Sequence, residues 1–255
     1  MRLSVIIPAY NDLVGVLVAL NSLRAFAHTS VEYLVQDDAS PLLDFTPLIP
    51  PCAANTARNP SNLGFAGNCH AGVTRAMGDV VCMVNQDAYG VAGWSDGWDM
   101  ALLSAFDDPA VGIVAPRLLF PDGSVQSAGG MFDALAQPIH RCLGWTNPHH
   151  PDAGTPGAVA WATGAVLAIR RSVWDALGGF DTAYGRGYFE DVDVCLKARE
   201  AGYTTWYEPR ATLVHRVGST GGSPTFADNA RLFKRRWVDT GKVKPGMATP
   251  TVRYW

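Results

Sequence analysis

Four places along the chain put ionisable side chains where they could do chemistry. Asp87 follows the apolar residues 80–84 behind Asn85 and Gln86, and Ala-Tyr-Gly comes after it. A carboxylate at the end of a buried strand can hold a hard divalent cation beside a phosphate, since such cations select oxygen ligands; capping a turn is the plainer reading. Asp37 and Asp38 stand at the end of a second apolar run, residues 31–35. Adjacent carboxylates repel and call for donors, which either a ligand or an Asx-turn into Ser40-Pro41 would supply. Glu190, Asp191 and Asp193 open a helical stretch, where the helix dipole already favours acids. Gly185-Arg186-Gly187 gives that stretch a mobile approach and Tyr188-Phe189 an apolar wall. In such a setting a carboxylate can become a general base with a raised pKa; a capping box is the alternative. His215 ends a short apolar run, as a metal ligand, a phosphate-side contact or a half-buried hydrogen-bonded imidazole. His140, His149 and His150 lie in a Pro-rich stretch without zinc-like spacing and read as solvated.

These residues fall at the ends of elements that alternate in type. Residues 3–7 read as a buried strand stopped by Pro8, and Asn11 or Asp12 can cap a helix in which Leu13, Val16, Leu17, Leu20 and Leu23 share a face. Residues 31–35, 79–84, 111–115 and 161–169 read as further strands, and residues 69–77, 98–106 and 190–201 as helices, the last ended by Gly202. Two short strands, 204–207 and 212–214, precede His215. Residues 41–56 carry four prolines and read as an irregular crossover; residues 116–160 read as loops or a small hairpin. The tail over 231–237 is basic, aromatic and helical in pattern, and residues 240–255 look irregular. Such alternation predicts an α/β layer with a mostly parallel sheet, whose ligands bind beyond the carboxyl ends of the strands.

Composition narrows the classes. The 255 residues are 48% apolar, enough for a sizeable core in one domain with a tail. With 20 Lys and Arg against 23 Asp and Glu, the net charge of −3 gives no overall case for a nucleic-acid partner. The start of the chain shows no small-residue cleavage site, and the longest mostly apolar stretch, 157–169, is short of the roughly 20 residues that span a bilayer. Five cysteines form no CxxC pair; Cys82 and Cys195 read as buried small hydrophobes, and a cytoplasmic location with reduced thiols is expected.

The motifs, in their order, resemble those of the family 2 glycosyltransferases. The resemblance runs through Leu3-Ser4-Val5-Ile6-Ile7-Pro8-Ala9-Tyr10-Asn11, Val35-Gln36-Asp37-Asp38-Ala39-Ser40, Asn62-Leu63-Gly64-Phe65-Ala66-Gly67, Asn85-Gln86-Asp87, Gly178-Gly179-Phe180-Asp181, Phe189-Glu190-Asp191-Val192-Asp193 and His215, covering about residues 1–220. It implies a GT-A fold, a single mostly parallel twisted sheet flanked by helices. Residues 1–115 would form the nucleotide-sugar half, 116–220 the acceptor half and 221–255 a tail. Tyr10 would stack on the nucleobase and Asp38 accept from it, with Asp37 in support; Pro8, Asn62, Gly67, Asn85, Gln86 and Gly164 complete the implied donor site. Asp87 matches the last acid of the family's DxD element, holding Mg²⁺ or Mn²⁺ on the diphosphate with His215. Asp191 matches the general base of inverting transfer, with Glu190 orienting it or the acceptor. The single carboxylate of Asn85-Gln86-Asp87 resembles the bacterial rhamnosyltransferase-like branch, and His70 stands where relatives usually show Asn.

The resemblance thus implies a transferase acting on a nucleotide-diphospho-sugar, dTDP-rhamnose first and a UDP-sugar otherwise, and on a glycan or lipid-linked acceptor of a bacterial cell-surface polysaccharide. Residues 116–160, with Trp145 and His149-His150, are expected to select the acceptor. A nucleotidyltransferase would need a basic glycine-rich loop where Pro8-Ala9-Tyr10-Asn11 stands, and GxGxxG and GKS/T are absent. A non-catalytic sugar-nucleotide or glycan-binding module remains an alternative. For the basic cluster at 231–237, a peripheral membrane contact competes with packing against the domain.

Overall fold

The computed structural model describes residues 1–218 and 225–247. In chain order its elements are β1 (Leu3–Ala9), α1 (Leu13–Phe26), β2 (Val31–Asp37), β3 (Asn55–Arg58), α2 (Gly64–Arg75), β4 (Val80–Val84), β5 (Ala88–Tyr89), α3 (Trp98–Ser104) and β6 (Val111–Leu119). There follow β7 (Val125–Ser127), β8 (Gly130–Phe132), β9 (Pro138–His140), α4 (Pro151–Gly154), β10 (Gly157–Val159), β11 (Val166–Arg170), α5 (Arg171–Leu177), α6 (Glu190–Glu200), β12 (Thr204–His215) and α7 (Phe226–Phe233), which continues as a π-helical turn, Lys234–Val238.

One sheet runs β10-β12-β6-β11-β4-β1-β2-β3, with β5 added to β12 and β7 to β6; β8 and β9 form a separate hairpin. The side from β4 to β3 is parallel throughout, and β12 is parallel to β6. Between these blocks β11 is antiparallel to both β4 and β6, so the sheet is mixed. β1 is buried along its whole length and alternates strictly. Leu3, Val5 and Ile7 join one core with Val16, Leu20 and Leu23 of α1 and Trp98 of α3; Ile6 joins the other with Ala66, Cys69 and Val73 of α2. Asp12 caps α1 by accepting from Gly15 N at 2.8 Å. Cys82 and Cys195 are fully buried among apolar groups, as their surroundings in the sequence imply. No helix among the described residues is long and apolar enough to cross a membrane.

Several boundaries differ from expectation for identifiable reasons. β1 runs past Pro8 to Ala9 because its pairing with β4 ends at Ile6, so the missing Pro8 N–H falls where only β2 is alongside. β3 lies inside the expected crossover; it is a polar, partly exposed edge strand with no apolar alternation to reveal it. The two short strands before His215 are one strand, β12, with a register shift between Glu208 and Thr212 around Pro209. The strand expected over 161–169 forms only from Val166, while Trp161 makes an isolated bridge to Gly130.

The tail packs back on the domain. Phe233 and Trp237 are buried against α6, Phe233 stacks on Phe132, and the Trp237 Nε1–H donates to Asp193 Oδ1 at 2.8 Å. Burying side chains of this size contributes roughly 1.5–3 kcal/mol each, whereas a part-exposed pair such as Arg236–Asp181 contributes about 1 kcal/mol at most. Apolar burial therefore holds the segment, and its aromatic side faces the protein. Residues 248–255, part of the stretch expected to be irregular, lie outside the described residues.

Leu23 is fully buried in the α1 layer, far along the helix from its capped end. Leu23→Ala is expected to lower unfolding free energy by about 2–5 kcal/mol through the cavity it leaves, read by urea denaturation.

Candidate active site

The carboxyl ends of β1, β2, β4 and β12 meet at one cleft of about 800 Å³. Of the donor-site residues expected from the sequence, Pro8, Tyr10, Asp38, Asn62, Asn85, Gln86, Asp87 and Gly164 line it, as do Glu190, Asp191 and His215. Asp37 and Gly67 do not. Asp37 is fully buried, ion-paired to Arg58 and hydrogen-bonded to Ser40, so it ties β3 to the loop after β2. Gly67 lies within α2, where a Cβ would stand 2.7 Å from Leu63 Cβ. His70 also turns away, with Nε2 2.8 Å from the Phe180 carbonyl.

The wall formed by β1, β2 and β4 is fixed by side chains that grip backbone. Gln86 pairs with Tyr10 as one amide with another: Tyr10 N donates to Oε1 at 2.8 Å and Nε2 donates to Tyr10 O at 3.0 Å. That pairing locks the end of β1 to the end of β4 and turns the Tyr10 ring to the cleft edge. Asp38 accepts from Leu63 N at 2.8 Å, Gly64 N at 2.9 Å and Asn59 Nδ2 at 2.8 Å. A carboxylate at these positions satisfies donors at the amino end of α2 that have no partner within the helix. Asp38 is thus committed to three protein donors while still lining the cleft.

Asp87 and His215 meet across the short β5–β12 ladder, in which His215 is the partner of Ala88. Asp87 Oδ1 and His215 Nε2 are 3.1 Å apart, and both residues are buried. Gln126 of β7 fixes the ring. Its Nε2 donates to the His215 carbonyl at 3.0 Å, which can only accept, so its Oε1 is the atom 2.7 Å from His215 Nδ1. Nδ1 must then carry a hydrogen, and Nε2 is the ring atom that faces the carboxylate. An imidazole nitrogen and a carboxylate oxygen at that separation are joined by a proton on Nε2 or by a metal ion. The carboxylate oxygen suits either Mg²⁺ or Mn²⁺, and the imidazole nitrogen beside it favours the softer Mn²⁺ of the two. No group of three or more His, Cys, Asp or Glu side chains among the described residues is placed to hold a metal.

Opposite lie Glu190 and Asp191, at the start of α6. Asp191 Oδ2 accepts from Gly164 N and Oδ1 from its neighbour Val192 N, each at 2.8 Å. Burial raises the Asp191 carboxyl above the ordinary aspartate range, and these N–H donors pull the other way. Glu190 is held well above its usual range, first by burial and then by the Asp191 charge; its Oε2 has no partner among the described residues. The backbone here departs from the ordinary: Tyr188 and Phe189 have φ of 74° and 76°, the left-handed region that costs a non-glycine residue of order 1–3 kcal/mol. Asp193, four residues from Phe189 along α6, points away and pairs with Lys197 at 2.7 Å.

The 116–160 stretch reaches the cleft through Phe120, Gln126, Pro138, His140 and Leu143, whereas Trp145, His149 and His150 are exposed and do not line it. His140 corrects the expectation of a solvated side chain. It is half-buried against Trp161, bonds Ser127 Oγ at 3.1 Å, and is pushed down to about 4 by burial and then by nearby His215. Gln126, His140 and Trp161 carry no local signal, since loop connections rather than periodicity bring them in.

Residues 4–153 match the profile of the glycosyl transferase family 2. Over 158 residues the chain is 34% identical to the N-acetylglucosaminyl-diphospho-decaprenol L-rhamnosyltransferase of Mycobacterium tuberculosis, covering 57% of this chain and 50% of that protein. Like this one, the other curated relatives it matches are at least about twice the length it spans in them. The GalNAc-T7 structure with UDP, GalNAc and Mn²⁺ superposes with a TM-score of 0.69 at 18% identity, over 94% of this chain and 48% of that one. The mannosyltransferase PcManGT of Pyrobaculum calidifontis, in complex with GDP-Man and Mn²⁺, superposes with a TM-score of 0.60 at 21% identity, over 86% and 58%. At those identities the two structures speak for the fold, which is GT-A. With the family profile spanning more than half of its length, the chain belongs to the glycosyl transferase family 2.

Proposed function

We propose that the chain catalyses inverting transfer of a sugar from a nucleotide-diphospho-sugar to a hydroxyl of a glycan or lipid-linked acceptor in bacterial cell-surface polysaccharide synthesis. The observation that carries this reading is one cleft lined both by the Asp87–His215 pair and by a carboxylate, Asp191, raised by burial. Similarity to the rhamnosyltransferase favours dTDP-rhamnose as donor, with a UDP-sugar next. The nucleobase would lie on the Tyr10 ring beside Pro8 and Asn62, against the wall that Asp38 holds in place.

Asp191 would take the proton of the acceptor hydroxyl. The acceptor oxygen forms its bond to the anomeric carbon as the bond from that carbon to the diphosphate oxygen breaks, and the nucleoside diphosphate leaves with the electron pair. Gly164 N–H orients the base through Oδ2, and burial, which pushes Glu190 toward its neutral form, lessens the second charge beside it. Asp87 and His215 would hold the divalent cation, which supplies positive charge for the leaving diphosphate when bound. Gln126 keeps the His215 lone pair available for it.

Thermal unfolding with UDP-, GDP-, dTDP- and CMP-sugars, with and without Mn²⁺, tests the donor site. One nucleotide class is expected to raise the melting temperature only with metal, and Asp87→Ala to lose that rise; no shift with any donor would overturn the reading. Gln126→Leu, which leaves Nδ1 without its acceptor, is expected to weaken Mn²⁺ binding by about 10–100-fold, read by the electron paramagnetic resonance of free Mn²⁺.

Asp191→Asn should abolish turnover and spare the donor-induced shift, whereas a binding module would show no turnover to lose. In the wild type, the raised Asp191 carboxyl loses its base form earlier as pH falls than an ordinary aspartate. The acid limb of kcat/KM is therefore expected above the usual carboxylate range.

A further inference from the structure

One buried amide in the tail touches the backbone that carries the catalytic helix. Asn229 of α7 is 4% exposed. Its Nδ2 donates to the Tyr184 carbonyl at 2.5 Å and the Gly187 carbonyl at 2.7 Å, and lies 3.3 Å from the Tyr188 carbonyl. The three carbonyls belong to the loop that enters α6, whose backbone is left-handed at Gly185, Tyr188 and Phe189 and reaches φ 135° at Gly187. A loop with that conformation persists only when its surroundings hold it. Rings of the same tail close around it: Phe189 lies 5.5 Å from Phe226 and 5.2 Å from Phe233, and Tyr188 meets Phe226 edge-on at 5.2 Å. Further along the tail, Trp237 Nε1–H and Tyr184 O–H share Asp193 Oδ1, joining the tail, the loop and α6 at one carboxylate. On its other side the loop abuts α2, where a Cβ on Gly64 would stand 2.9 Å from the Gly185 carbonyl.

We propose that the α7 segment is a positioning element of the active site, in which Asn229 clamps the 184–189 loop so that α6 begins with Asp191 facing the cleft. The proposal rests on Asp191 being the base of the transfer. Asn229 touches no reacting atom. It acts through the backbone of the loop, and the family profile, which ends at residue 153, contains none of these parts. The amide suits the task because its –NH₂ carries two hydrogens and no charge, so it can satisfy several carbonyls where a lysine would bring an ammonium into a buried site.

The test compares wild type, Asn229→Ala, Asn229→Asp and the Leu23→Ala core variant as a control for lost stability. Arg186 is exposed within the loop, so tryptic cleavage after Arg186, followed by mass spectrometry, reports loop release without any need for turnover. Turnover is measured with the donor selected by the thermal-unfolding panel. Asn229→Ala is expected to be cut several-fold faster after Arg186 and to lose about 100-fold in kcat through misplacement of the base, with donor KM and the donor-induced shift unchanged. Leu23→Ala should lower the melting temperature and leave kcat as it was. Should Asn229→Ala fail to fold, Asn229→Asp carries the test at equal size, since a carboxylate cannot donate to those carbonyls. Faster cleavage with an unchanged kcat overturns the proposal, and so does cleavage that stays slow. A kcat that falls only as melting temperature falls, as for any core variant, also overturns it. A wild type without turnover removes the transfer reading and the proposal with it, whereas failure of the clamp alone shows only in the Asn229 variants beside an active wild type.

Discussion

Asp87 and His215 are 128 residues apart in sequence and 3.1 Å apart in space, and the layout of the sheet is what closes that gap. β4 delivers Asp87, and β12 lies three strands away beyond β11 and β6. Only the two-residue β5, leaving Asp87 at once and pairing antiparallel with the end of β12, brings the two side chains face to face. The reversed strand β11 belongs to the same constraint. It is antiparallel to both neighbours, so its amino end lies at the cleft, and the segment before it supplies Gly164 to Asp191 and the Ala165 carbonyl to Asn85. One strand direction thus serves both walls.

The acids around the cleft are kept from repelling one another by three different means. Asp37 is neutralised by Arg58, Asp38 is saturated with N–H donors, and Glu190 is pushed toward its neutral form by burial. Asp87 faces His215, and Asp191 accepts from the Gly164 and Val192 N–H groups. The neighbouring His140, pushed to about 4, is uncharged at neutral pH and adds nothing to that balance.

Much of this was legible in the sequence, because strand ends and chemistry coincide. Asp38, Asp87 and His215 each follow an apolar run, and the resemblance in motif order named Asp191 as well. Hidden residues share a different property: their roles are backbone contacts or ring contacts made across long loops. Gln126 is one polar residue in an irregular stretch, and Asn229 one amide on a tail whose sequence pattern is a basic, aromatic cluster. Neither contributes to periodicity, and each is identified only by the carbonyl it faces. β3 escaped for a related reason, since an edge strand of Asn, Thr, Ala and Arg has no buried face to mark it. Asp37 and Asp38 show the same limit in reverse: two adjacent acids read alike, yet one bonds an arginine and the other a helix terminus.

The two walls also differ in how firmly they are made. The wall built from β1, β2 and β4 hangs on parallel strands in fixed register, with Gln86 and Asp38 locking strand ends to backbone; it falls within the stretch matched by the family profile. The wall that carries Glu190 and Asp191 begins after a loop with positive φ at four positions, 185 and 187–189, and is contacted from outside by α7. A register of hydrogen bonds changes only in whole steps, so the wall of parallel strands tolerates little variation. A clamped loop can be re-cut by single substitutions in the loop or in the helix that holds it. The Tyr188 and Phe226 rings meet edge-on at the cleft rim, the part of the site that the sheet does not dictate.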